Sequence, residues 1–201
     1  MKKINSLLSI LLLTMLLAAC GTTDGIEKAD QPDTETKSAE QTEAAGSTTK
    51  LEQELEGTIT KSESQNYSIT VIDGFELTGE EPSKDILFNI KNDSQSMRIE
   101  TFDASEVDLN DITNNLEETL KASNENEKLV EITDENQLPT NDSIKETKGF
   151  QIDTPEGKVS GYTFERDGLI VKLTIFDTED NPAFEKFVEM AETIKKSANG
   201  L

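Results

Sequence analysis

The stretch Leu169-Ile170-Val171-Lys172-Leu173-Thr174-Ile175-Phe176 is apolar at six of its eight positions, and on both of the faces that strand alternation creates. A strand covered above and below inside a sheet needs that pattern, whereas a half-exposed strand alternates. Working outward, Arg166-Asp167-Gly168 just before it reads as a tight turn, and Val159, Tyr162 and Phe164 as the preceding strand. That strand is entered from Phe150 and Ile152 through the turn Thr154-Pro155-Glu156-Gly157. On the C-terminal side Asn181 is placed to cap a helix, with Pro182 at its first position. Phe184, Phe187, Val188, Ala191 and Ile194 then form one apolar stripe, and Lys195 and Lys196 stand at the negative end of the helix dipole.

The preceding half has a similar grammar. Tyr67, Ile69 and Val71 alternate with Ser68 and Thr70, and Asp73-Gly74 turns the chain into Phe75 and Leu77. Residues Asp85 to Lys91 put Ile86, Phe88 and Ile90 on one face, the expected core face. Asn92-Asp93-Ser94-Gln95 reads as a turn leading to Met97, Ile99 and Thr101. Leu109, Ile112, Leu116 and Leu120 recur at helical spacing behind Asp108 as N-cap, with Asp111 three residues on and Val107 and Ile112 placed as a staple. Residues 121–149 are polar and weakly patterned, except for Leu129-Val130-Glu131-Ile132 as an edge strand. The expected fold is therefore α+β, an antiparallel sheet packed by two helices.

With Gly74-Phe75-Glu76-Leu77 early and a strand-turn-strand-helix ending late, the order of elements resembles the PsbP-like sandwich over roughly residues 64–198. That sandwich is found in small bacterial lipoproteins and in an accessory subunit of photosystem II. The resemblance implies a non-enzymatic accessory or binding module, and it carries over no functional residue.

The N-terminus reads as an address. Lys2 and Lys3 precede an apolar run from Leu7 to Ala19, 13 residues and too short for the roughly 20 that span a bilayer. It ends in Leu17-Ala18-Ala19-Cys20, which resembles the lipobox of bacterial lipoproteins. The resemblance implies that Leu17, Ala18 and Ala19 are recognised by the lipoprotein signal peptidase, that residues 1–19 are removed, and that Cys20 carries a diacylglycerol thioether. A palmitate-type acyl chain on the new amino terminus would add to it. Two or three chains make anchoring stable where one is marginal. Residue 21 is Gly rather than Asp, so no inner-membrane retention signal stands there, and a Gram-positive cell membrane, on its extracytoplasmic face, is the preferred location.

Behind Cys20, residues 21–56 hold ten acids, three Lys, no aromatic, and only Ile26, Leu51 and Leu55 as large aliphatics. Such a segment cannot bury enough surface to offset its ordering entropy, so 20–56 is expected to be a disordered acidic linker spanning about 33 Å. All ten aromatics fall between Tyr67 and Phe187, which places a single domain at 57–201.

The 201 residues carry 19 Lys and Arg against 41 Asp and Glu, a net charge of −22, of which residues 57–201 hold 14 basic and 31 acidic, or −17. That balance excludes nucleic acid as a partner, because phosphate neutralisation needs clustered cations. With no His and one Cys, the usual general base, zinc knuckles and Cys-His nucleophiles are missing, and no metal or cofactor is expected. A glycosidase would need opposed carboxylates and usually Trp platforms, and there is no Trp. Pairs such as Glu80-Glu81, Glu117-Glu118 and Asp177 with Asp180 read as solvated surface. A calcium loop from Asp177 fails with Pro182 at its sixth position and Val188 at its twelfth. Ser143 lies two residues before Lys145 in a polar stretch that reads as a loop. The expectation is a membrane-anchored binding or accessory module, not an enzyme, whose protein, peptide or envelope partner is unidentified. The alternatives are a carboxylate- or cation-dependent envelope hydrolase and a self-protection lipoprotein that binds a cationic peptide by electrostatic steering.

Overall fold

A computed structural model describes residues 55–178 and 183–198, all within one compact unit, Thr48–Leu201. The leader, Cys20, nearly all of the expected linker and the Asn181-Pro182 helix start lie outside the described residues. The strands are β1 (Thr58–Lys61), β2 (Tyr67–Val71), β3 (Phe75–Glu81), β4 (Lys84–Asn89), β5 (Asn92–Asp103), β6 (Val130–Glu131), β7 (Lys145–Thr154), β8 (Gly157–Arg166), β9 (Leu169–Asp177) and β10 (Lys195–Lys196). Helix α1 (Leu109–Ser123) follows β5, and α2 (Phe184–Ala191) follows β9.

The class is α+β, with antiparallel strands and two helices, but the single expected sheet is two. Seven strands run in the order β3-β4-β5-β9-β8-β7-β6, and three in the order β1-β2-β10. Two meanders, β3-β4-β5 and β6-β7-β8-β9, join where β5 pairs with β9, Met97 opposite Ile175 and Ile99 opposite Leu173. Strand β9 is thus central and buried, as its apolar sequence requires. Leu169, Val171, Leu173 and Ile175 enter the main core, and Ile170 is buried on the reverse face.

The Asp73-Gly74 turn forms, with Gly74 at φ +89 and the Phe75 N–H donating to the Ile72 carbonyl at 3.2 Å. It passes the chain from the small sheet to the large one instead of closing a hairpin. Tyr67, Ile69 and Val71 drop into the same core as Leu87, Met97 and Leu173, so β2 packs on the large sheet and does not extend it. Helix α2 joins that layer, and Phe187 meets Phe75 edge-on with ring centroids 5.3 Å apart.

On the reverse face α1 lies across β7, β8 and β9. Asp108 caps it by accepting from the Asn110 N–H at 2.8 Å, and Leu116 and Leu120, fully buried, pack on Phe150, Ile152 and Val159. Burying each such leucine is worth about 1.5–3 kcal/mol. Gly161 permits the approach, because a Cβ there would sit 2.7 Å from Leu116 Cδ1 and 2.8 Å from Leu120 Cδ1.

Three further expectations are corrected. The β4–β5 turn falls at Ile90-Lys91, since Asn89 pairs with Asn92 and residues 92–95 belong to β5. Those polar side chains make strand bonds: Gln95 is fully buried, accepts from Asn89 Nδ2 at 2.8 Å and donates to Asp177 Oδ1 at 2.8 Å. In β4 the core face is Asp85 and Leu87; Ile86 and Phe88 look out the other side half-buried, and Ile90 is exposed in the turn. Finally, α2 ends at Ala191, and Lys195 and Lys196 pair with Ser68 and Tyr67 as β10 instead of closing the helix. Ile194 still fills the core, from beyond the helix.

Candidate functional site

Leu17, Ala18, Ala19 and Cys20, on which anchoring rests, lie outside the described residues, whereas most of the acids that could do chemistry can be placed. Neighbouring carboxylates diverge. Glu80 takes the Arg98 guanidinium in a two-point contact, Nε to Oε2 at 2.6 Å and Nη2 to Oε1 at 2.7 Å, which holds its carboxyl below the usual carboxylate range. Glu81 pairs instead with Lys84 at 2.9 Å. On α1, Glu117 pairs with Lys121 one turn on at 3.0 Å, and Glu118 is exposed. Asp180 lies outside the described residues.

Asp177 is structural. Its Oδ1 accepts from Gln95 Nε2 and from the Thr178 N–H at 2.7 Å, and its Oδ2 accepts from the Phe184 N–H at 3.0 Å. A side chain from the end of β9 thereby satisfies a donor at the start of α2, where Ala183 offers no cap of its own. Among the described residues no three Asp, Glu, Cys or His side chains gather closely enough to hold a metal ion, and no helix is long and apolar enough to cross a membrane.

Ser143 and Lys145 come together with Glu165, Arg166, Asp167 and Gly168 around an open hollow of about 270 Å³. The turn reading holds there, with φ +53 at Asp167 and +75 at Gly168. Arg166 points its guanidinium at the last turn of α2, donating to the Glu192 carbonyl, which Asn141 Nδ2 also reaches at 2.8 Å. The cation therefore satisfies the negative end of the helix that Lys195 and Lys196 were expected to serve.

Two buried polar clusters went unread in the sequence. Asp85, 1% exposed, accepts from Gln65 Nε2 at 2.7 Å and Tyr67 Oη at 2.8 Å, while Gln65 also donates to the Ile99 carbonyl at 3.1 Å. Burial, then the Asp85 charge and hydrogen bond, push the Tyr67 hydroxyl far above its ordinary pKa, so it remains a donor. The cluster ties the loop before β2 to β4 and β5. The second is Lys172, whose Nζ lies 3.0 Å from Glu100 Oε1 and 2.9 Å from Asn115 Oδ1, joining β9, β5 and α1. One charge inside an eight-residue apolar run was the available signal for it.

Two cross-strand rows line the reverse face of β3, β4 and β5. One row reads Glu76, Phe88, Ser96, Phe176 across the strands, and the next Thr78, Ile86, Arg98, Thr174. Arg98, braced by Glu80, lies 6.0 Å from the centroid of the Phe176 ring. Phe176 touches the edge of the α1 cluster, but Ile86 and Phe88 belong to neither apolar cluster.

No family model matches the chain, and no curated protein matches it. Similar solved structures include cyanobacterial PsbP (CyanoP) from Synechocystis, 13% identical with a TM-score of 0.47 over 69% of this chain and 91% of that one. Another is a protein of Bacteroides thetaiotaomicron, 12% identical with a TM-score of 0.41 over 73% of this chain. The chain spans about half, 51%, of the length of that protein.

Proposed function

We propose that this chain is a lipid-anchored, non-enzymatic binding or accessory module, held at the extracytoplasmic face of a bacterial cell membrane through Cys20 and presenting its α+β domain to a partner at linker length. The observation that carries the non-enzymatic half is the use of the buried charged groups. Asp85, Asp177 and Lys172 each bond to side chains or backbone that join elements of the fold. An acid-base pair of a hydrolase would instead need two carboxyls facing a common space with their proton affinities pushed apart. The anchored half is supported by the charged start, short apolar centre, small-residue pair and lone Cys of residues 2–20.

Intact-mass analysis of the membrane-extracted protein tests the anchor. The expected mass is that of the chain from Cys20 plus two or three acyl groups, and Cys20→Ala should leave the protein unprocessed. An unlipidated chain in the medium, or a Cys20→Ala variant whose mass shows residues 1–19 removed as in the parent and which still fractionates with the membrane, would overturn the reading.

A further inference from the structure

Two Asp-Gly dipeptides stand among the described residues, Asp73-Gly74 and Asp167-Gly168, both exposed and both in turns. An aspartyl carboxyl can be attacked by the backbone nitrogen of the residue that follows it, and glycine obstructs that approach least. The five-membered imide that results fixes ψ of the aspartyl residue. For an L-residue the fixed value belongs to the first central position of a type II′ turn, where φ is positive. The sense of the turn therefore decides which dipeptide is set to close.

Arg166 pairs with Leu169 across a two-residue loop, and φ is +53 at Asp167 and +75 at Gly168, the signature of type I′. Types I′ and II′ differ by a rotation of the central peptide plane, and both suit the twist of a hairpin. Among the described residues neither the Asp167 carbonyl nor the Gly168 N–H makes a hydrogen bond, so that plane turns without breaking one. The Gly168 carbonyl, which accepts from the Ala104 N–H at 2.9 Å, belongs to the next peptide and keeps its bond. Nothing lies within 4 Å of the Cβ position on Gly168, and Arg166 Nε stands 3.7 Å from the Asp167 carboxyl, beyond hydrogen-bond length. Asp73 is set the opposite way. There the Phe75 N–H donates to the Ile72 carbonyl and only Gly74 is left-handed, at φ +89, which makes a type II turn. Its first central position is the mirror image of the one the imide needs.

We infer that Asp167-Gly168 is a self-modification site, where the backbone closes to a succinimide and reopens in part as isoaspartate. In closure the Gly168 nitrogen bonds to Asp167 Cγ, the Cγ–OH bond breaks, and the hydroxyl leaves with the amide proton as water. A water then adds to one imide carbonyl. Cleavage between Cγ and nitrogen restores aspartate. Cleavage between the Asp167 α-carbonyl and the nitrogen leaves the chain running through Cγ, one methylene longer at the β8–β9 turn. Water is the only co-reactant.

The full-length chain, aged at neutral pH and mapped by peptide mass with electron-transfer fragmentation, tests the inference. In the folded chain, loss of one water and isoaspartate should accumulate at 167 and be several-fold scarcer at 73, whereas in urea the two sites should react alike. Asp167→Asn, whose amide is the better electrophile, should speed closure with loss of ammonia. Asp167→Glu, which would need a six-membered ring, should abolish the change at 167. Equal isoaspartate at 73 and 167 in the folded chain, or isoaspartate at neither, would overturn the assignment. So would a loss of water at 167 that survives Asp167→Glu. A preference for 167 that persists unchanged in urea would do the same, since the turn could not then be its cause.

Discussion

Tyr67 and Tyr162 are both fully buried, yet their hydroxyls do opposite things. The Tyr67 hydroxyl donates to Asp85 at 2.8 Å, whereas the Tyr162 hydroxyl, with the Ser160 side chain nearby, makes no well-formed hydrogen bond among the described residues. A bond to a buried carboxylate is worth about 1.5–3 kcal/mol, and an unmade buried one costs a similar amount. Tyr67→Phe should therefore destabilise the protein by about 2 kcal/mol, and Asp85→Ala by about 3 kcal/mol, because it leaves the Tyr67 hydroxyl without its acceptor and removes one of the two bonds of Gln65 Nε2. Tyr162→Phe should be neutral or stabilising by up to about 1 kcal/mol. Urea unfolding of the three variants beside the parent decides it; equal losses in the two Tyr→Phe variants would refute the distinction. None of this was readable from composition. Asp85 is followed by Ile86, which points to the other face, and a buried Asp differs from a solvated one only in what folds against it.

At the scale of elements, the sequence was legible where an apolar pattern has one interpretation. The double-faced run 169–176 is the sheet's central strand, Leu116 and Leu120 lie on the buried side of α1, and Val130–Glu131 is an edge strand. It misled where two patterns coexist. β4 offers an apolar residue to each face, and Leu87, paired with Met97 across the β4–β5 hairpin, is the one that meets the main core. Residues 92–95 have turn composition but serve as a strand, because Gln95 and Asp177 find each other across β5 and β9. Helix α2 shows the same dependence. Its Phe184 N–H is met by Asp177, so Asp177→Ala should cost about 2 kcal/mol, with a loss of far-UV helical signal before global unfolding. If that variant unfolds at the parent's midpoint, the long-range cap is wrong. On α1 the corresponding test is Gly161→Val, whose side chain must displace Leu116 and Leu120 and should cost about 1–3 kcal/mol. The proposed lipid site is legible as a motif alone, since a lipobox such as Leu17 to Cys20 would act by being recognised as a peptide and not by folding.

Over the whole molecule the dominant fact is a charge of −22, which makes the folded chain repel itself at neutral pH. Protonating exposed carboxylates relieves that repulsion, so mild acid should first raise stability. The opposing effect comes from acids whose folded pKa is depressed. Asp103 is held at about 2, against 3.8 unperturbed, by the Ser105 hydroxyl and N–H and then by Lys196, 3.1 Å away. That contact joins β5 of the large sheet to β10 of the small one, so its loss loosens the two layers together. A depressed carboxylate contributes stability that is present above its unfolded pKa and lost as pH falls through its folded value. The contribution of Asp103 should therefore be complete above pH 3.8 and vanish toward pH 2, with Glu80, lowered by Arg98, moving in the same direction. Asp103→Asn should be less stable than the parent from neutral pH down to 3.8, and the two should converge as pH approaches 2. Urea midpoints across that window read the difference directly. A gap that stays constant through it would mean that Asp103 acts by shape and not by charge, and that the ion pair contributes nothing to holding the two sheets together.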